Sequence, residues 1–162
     1  MGLGTEIAAL WRGPRTAIRA RLAEGVREDR ALARLAGGCL ALFIAQWPAM
    51  LRAAALDPSV PLEARLGGAL LGILFLAPLA FYALAGLSHL ALRAFGGRGS
   101  FYGARLALFS ALLAVSPLVL VQGIVAGVAG PGALAAGTGI AVLAAFLGLW
   151  GAGLGAAEYE RA

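Results

Sequence analysis

Lysine is absent from this chain, cysteine and histidine occur once each, and only 13% of the 162 residues are charged. Each scarcity excludes something. One thiol, Cys39, permits no intrachain disulfide and no cysteine-based metal site, and its place in an apolar run reads as a small packed residue. One imidazole, His89, permits no histidine metal cluster. The charged fraction is about half that of an ordinary soluble domain, too low to clothe a water-facing surface of this size. All thirteen basic residues are arginine, a choice from which no mechanism follows.

What is present is apolar: 61% hydrophobic residues and 24 glycines, with a mean hydropathy of +0.88. The fold class expected is an all-α polytopic transmembrane helical bundle. Four stretches contain no Asp, Glu, Lys or Arg, namely 35–51, 66–92, 106–129 and 133–157. The last three exceed the roughly 20 residues that cross about 30 Å of hydrocarbon, and the first borrows a turn from 31–34. Pro48, Pro78 and Pro117 fall inside the runs and predict kinks, because each removes an N–H and crowds a carbonyl one turn back. Asp57-Pro58-Ser59-Val60-Pro61 predicts a loop between spans one and two, and Gly130-Pro131-Gly132 a tight turn joining spans three and four as a hairpin.

Arginine collects in the cytoplasmic loops of membrane proteins. With four spans, eleven arginines fall on the side of the two ends and two on the other, so both ends and the 93–105 loop are expected in the cytoplasm. A bacterial inner membrane is the expected location. The apolar runs do not fit a cleavable signal peptide, and Glu6 stands where a myristoylation signal needs Ser or Thr. Residues 1–34 form a basic leader. Ile18, Leu22 and Val26 recur at four-residue spacing between arginines, which predicts a helix over 14–35. Two readings stay open for it: an amphipathic helix on the anionic inner leaflet, or a charged segment that only fixes topology. Residues 158–162 are expected as a cytoplasmic tail.

No constellation declares a reaction. Gly97 to Gly103 fits neither a Walker loop nor a dinucleotide fingerprint. Gly86-Leu-Ser-His89 completes no serine-hydrolase signature, since Leu90 stands where an elbow needs glycine. No catalytic residue, metal, cofactor or nucleic-acid partner is expected, and His89 is read as structural, its ring reaching the interface near Arg93. The spans carry no charge to mark an ion path. Their polar residues, with Gln46, Tyr82, His89, Ser116 and Gln122 foremost, suit interhelical hydrogen bonds. Gly68/Gly72, Gly123/Gly127 and Gly151/Gly155 have GxxxG spacing, which this glycine content produces by chance about as often as it is found.

The segment Arg93-Ala-Phe-Gly-Gly-Arg-Gly-Ser-Phe-Tyr-Gly-Ala-Arg105 has no acid. Arg93, Arg98 and Arg105 are placed to meet anionic headgroups, Phe101 and Tyr102 to anchor in the interface, and the glycines to let backbone approach lipid phosphates or a partner. A topology signal on a flexible turn is the competing reading. An apolar span ending in Tyr82 to Arg93, then Phe95-Gly-Gly-Arg-Gly-Ser-Phe101, then a span containing Ser116-Pro117-Leu118, resembles the bacterial branch of the Yip family. These are small multi-spanning membrane proteins, named for eukaryotic members that interact with Ypt/Rab GTPases in vesicle traffic. The resemblance covers roughly 35–157 and implies a non-enzymatic membrane organiser or adaptor. Its partner would be an anionic lipid headgroup, an unidentified membrane protein or a second copy of the chain. The Asp-Leu-Tyr-Gly-Pro type motif of eukaryotic members is absent, and four spans stand where five are usual. A small oligomeric transporter or channel component is the alternative, and it requires Gln46, Tyr82, Ser116 and Gln122 to converge.

Overall fold

The computed structural model describes residues 2–160; Arg161, counted above among the cytoplasmic arginines, lies outside them. Among the described residues the chain is helical, with no strand: α1 Leu3–Arg12, α2 Pro14–Ala23, α3 Glu28–Leu56, α4 Leu62–Leu70, a π-helical segment Leu71–Leu76, α5 Ala77–Ala94, α6 Phe101–Ala129 and α7 Ala133–Tyr159. Four helices are long and apolar enough to cross a membrane: α3, the continuous Leu62–Ala94 unit, α6 and α7. The protein is a polytopic transmembrane helical bundle.

Each span is longer than its charge-free run. The first begins at Glu28, not near residue 35, and Arg34 is buried in its side. The helix continues through these charges because Glu6 of α1 reaches Arg34 at 2.6 Å and Glu28 pairs with Arg105. The helix expected over 14–35 is therefore corrected. Gly25, at φ +86, breaks it after α2, and a second leader helix, α1, precedes it. Gly13-Pro14 separates α1 from α2, with proline at the first helical position where its missing N–H costs nothing. Neither helix is a free leader: Leu10 and Ile18 are buried against the bundle.

Prolines act differently in the three spans. Helices α3 and α6 run through Pro48 and Pro117. Pro117 cannot donate to the Leu113 carbonyl, and the Ser116 hydroxyl supplies that bond at 2.7 Å. In the second span the wide π turn ends just before Pro78 and closes with an Ala77 N–H to Gly72 carbonyl bond. This is one of the ways a helix accommodates proline in lipid.

Helix α6 is the axis. Its cytoplasm-assigned half, from Tyr102 to Val115, is buried almost continuously, and α1, α2, α3, α5 and α7 all pack on it. It runs parallel to α3 and antiparallel to α7. Backbone comes closest where glycine permits: a Cβ on Gly123 would lie 2.0 Å from the Ala45 carbonyl oxygen, and one on Gly127 2.2 Å from Pro48 Cβ. Gly123/Gly127 is thus a true close-packing pair, whereas Gly68, Gly72, Gly151 and Gly155 meet nothing within 4 Å. Cys39 is buried and free, as its apolar run implies.

Helix length limits where about 30 Å of hydrocarbon can lie. With 29 residues α6 spans about 43 Å, more than the roughly 30 Å available. On the parallel α3, Arg34 and Arg52 are separated by 18 residues, or about 27 Å, and bracket the slab. The surplus of α6 projects beyond the Arg34 level, where the leader hairpin wraps it. Trp11 donates its indole N–H to the Ala114 carbonyl at 2.9 Å, a little inside that boundary and at a depth suited to tryptophan.

Gly123→Ala should destabilise the full chain in detergent by about 1 to 3 kcal/mol in thermal unfolding, since α3 and α6 must separate to admit the methyl group. Gly151→Ala should leave the melting temperature unchanged or slightly raised. Equal effects at both positions would contradict the packing described.

Candidate functional site

The connection between α5 and α6 is short and built on glycine. Gly96 takes φ +87 to turn the chain out of α5, and the Gly97 N–H closes back on the Leu92 carbonyl. The next residues lie across the end of α7. Arg98 N–H donates to the Glu158 carbonyl at 2.8 Å, and Gly99 N–H to Glu158 Oε2 at 3.1 Å. A side chain on Gly99 would put Cβ 2.4 Å from the Ala157 carbonyl, which only glycine avoids. Of the glycines expected to let backbone approach lipid phosphates or a partner, Gly97 and Gly99 lie against the Glu158 carboxylate of the chain itself.

Glu158 was expected in a cytoplasmic tail; it lies in the last turn of α7 with its side chain wholly buried. Its other oxygen, Oε1, is 2.6 Å from His89 Nδ1. Phe101 covers the imidazole, ring centroids 4.4 Å apart. His89 is therefore acid-paired and enclosed by protein, and its ring is not turned outward beside Arg93. Ser88 does not extend the pair, since its hydroxyl donates to the Ala85 carbonyl of its own helix at 2.8 Å. The site holds a histidine–carboxylate dyad that Ser88 does not join. Among the described residues, no three His, Cys, Asp or Glu side chains group to hold a metal ion.

Glu158 stands about 7 Å beyond Gly153 along α7, and Gly153 packs on Ala107 and Ile18 near the Arg34 level. The dyad thus lies beyond the Arg34 level, on the side away from Arg52. Beside it opens a cavity of about 680 Å³, bordered by Leu22, Arg98, Ser100, Glu158 and Glu160. Arg15 and Arg19 of α2 hold Glu160 at 3.3 and 3.4 Å. These pairs are exposed and contribute little stability.

The five residues assigned to docking divide. Arg93 and Arg98 are exposed, and neither side chain makes an ion pair among the described residues. Phe101 is half exposed over His89. Tyr102 is no interface anchor: it is buried, and its hydroxyl accepts the Arg27 N–H at 3.1 Å. Arg105 is engaged by Glu28 and lies 5.7 Å over the Tyr82 ring. Phe95, 80% exposed, joins the outward set. The polar residues on which a pore depends do not meet within one chain. Gln46 faces outward, Ser116 bonds its own helix, Tyr82 packs on Phe109, and Gln122 neighbours Gly139. The cavity between the spans, about 230 Å³, is walled by apolar side chains such as Phe81, Val119 and Phe146.

No family model matches the chain, and neither the curated proteins nor the solved structures contain a match to it.

Replacing Glu158 by Ala leaves His89 and the Gly99 amide without their side-chain partner, while the Arg98 amide keeps the backbone carbonyl of residue 158. The expected loss is about 3 to 5 kcal/mol, with faster proteolysis at 95–100. His89→Leu combined with Glu158→Met removes both ends of the pair and should cost far less than the two single changes together. Strict additivity would mean that the pair is not coupled.

Proposed function

We propose that this protein is a non-enzymatic organiser or adaptor of the Yip type in a bacterial cytoplasmic membrane, with both ends in the cytoplasm. It docks an acidic surface, of anionic lipid or of a membrane partner, on the 95–100 loop and its flanks. One observation carries this reading. The loop backbone is fastened from beneath to Glu158 and Leu92, while Arg93, Arg98 and Phe95 project outward without ion-pair partners among the described residues. A segment that served only as a topology signal has no need of a fixed backbone. A fixed one presents its charges with their ordering cost already met in folding, which favours binding. Near an anionic leaflet each guanidinium contributes about 1 kcal/mol.

The orientation rests on the arginine distribution and is tested by accessibility. In a Cys39→Ser background, a thiol introduced by Ser59→Cys should react with an impermeant reagent from outside, and one introduced by Ser100→Cys should be protected. The reverse pattern would place the loop on the wrong face for this function.

Arg98 separates docking from topology because its side chain holds no other part of the fold. Arg98→Gln should preserve expression, threading and melting temperature while reducing recovery of anionic lipid or cross-linked partner several-fold, and raised salt should reproduce the loss in the parent. If the variant matches the parent in lipid retention, partner recovery and salt response, the docking reading fails.

A further inference from the structure

On the opposite side of α2 from the Glu158 cavity lies a second one, of about 400 Å³, between α1, α2 and α3. Its polar wall comprises Arg21, Arg30 and Arg34 against Glu6 and Glu24. The carboxylates do not suffice. Glu6 is shared between Arg21 at 2.9 Å and Arg34 at 2.6 Å, and Glu24 is engaged by Arg30 at 2.7 Å. One guanidinium charge remains in excess, and the buried Arg21 Nε–H has no acceptor among the described residues. A buried donor without a partner costs on the order of 1 to 3 kcal/mol unless something fills the role. Burial, and then the nearby Arg34 guanidinium, hold Arg21 below the ordinary arginine range. Both influences disfavour the cation, and an anion in the cavity would oppose both.

The remaining wall is apolar. Leu113 of α6 and the exposed Leu3 of α1 line it, and Leu113 lies on the hydrocarbon side of Arg34. The cavity therefore places its arginines at headgroup depth, with Leu113 toward the acyl region and Leu3 exposed at its rim. We infer that it binds the phosphate of an anionic membrane lipid, with Arg21 and Arg30 on the phosphate oxygens and an acyl chain leaving over Leu113 and Leu3. Planar guanidinium groups pair well with phosphate, and the volume falls in the range of small-molecule sites. Free phosphate shares the headgroup chemistry but makes no use of the leucine wall. The site shares no arginine with the 95–100 loop, so the two assignments stand or fall separately.

The test uses the full chain, delipidated in neutral detergent, with binding followed by native mass spectrometry and thermal shift. Dioleoyl phosphatidylglycerol, dioleoyl phosphatidylcholine and inorganic phosphate are the probes. Phosphatidylglycerol should bind and raise the melting temperature, while the other two do so weakly or not at all. Arg21→Gln should weaken phosphatidylglycerol about fivefold, the change that one headgroup-level guanidinium brings, and Arg98→Gln should leave this stabilisation in place. Should Arg21→Gln fail to fold, Arg30→Gln decides, because Arg30 is half exposed and pairs with Glu24 alone. Equal stabilisation by inorganic phosphate would make this a free-anion site and overturn the lipid assignment. Equal binding of phosphatidylcholine, or parent-like phosphatidylglycerol binding in whichever of the two variants folds, would overturn it too.

Discussion

Hydrocarbon offers no hydrogen-bond partner, so a polar group near the slab must be satisfied by the chain itself, and several of the contacts that seat the helices around α6 answer that constraint. Pro117 leaves the Leu113 carbonyl without an N–H, and Ser116 supplies a hydroxyl. The neighbouring Ala114 carbonyl takes the Trp11 indole, which pins α1 across α6. Arg34 enters the side of the bundle and is met by Glu6, which fixes α1 on α3. Glu158 ends the last span with a buried carboxylate, and the acceptance of His89 and the Gly99 amide fixes α5 and the following loop on α7. Burying such groups does little for net stability compared with apolar packing. What they contribute is register: each bond has one geometry, so each helix has one place.

The spans were legible because their signal is local. A run free of charge and longer than about 20 residues needs no knowledge of the fold. Their cytoplasm-assigned ends were not, because a charge terminates an apolar run in sequence but terminates nothing when another helix neutralises it. Arg34 and Glu158 sit inside helices for this reason. The pair at the heart of the site did have a sequence signal. His89 ends the second span and Glu158 the fourth, so even crossing number puts both on one face of the membrane. Proximity within that face, across 69 residues of chain, is set by the packing of α5 and α7 around α6. Helix α1 carried a signal too. Leu3, Ile7, Leu10 and Trp11 recur at helical spacing, yet a stripe cannot say whether it rests on lipid or on protein.

Glycine shows the same division. Gly123/Gly127 and Gly151/Gly155 have identical spacing, but only the first pair faces another backbone. In the 93–105 segment, composition suggested a flexible turn near lipid, whereas Gly97 and Gly99 are small so that the loop can close on α7. That closure turns the chain's own acid inward and leaves arginine outward. A loop rich in glycine is usually the softest part of a protein; here three backbone bonds, from Gly97, Arg98 and Gly99, tie it down. Its charges consequently gain a defined spacing, which a flexible basic loop lacks.

Helix α2 lies between the two polar cavities, and adjacent residues serve them: Arg21 lines one and Leu22 the other. Its hold on the bundle comes mainly from Ile18, buried against Gly153 and Ala107, with Glu6 gripping Arg21 from one side and Glu160 gripping Arg15 and Arg19 from the other. Ten residues without an internal core of their own cannot hold a helix in place by propensity alone. The position of α2 thus depends on the seating of Ile18, with the ion pairs on its two flanks as secondary contacts. An anion that relieves the excess charge at Arg21 strengthens the seat of α2, and with it the Leu22 wall beside Arg98 and Glu158. Helix α2 is the element that touches both the Arg21 cavity and the Leu22 wall beside the 95–100 loop, and any coupling carried by it is bounded by how much more tightly a ligand holds α2 when seated than when displaced.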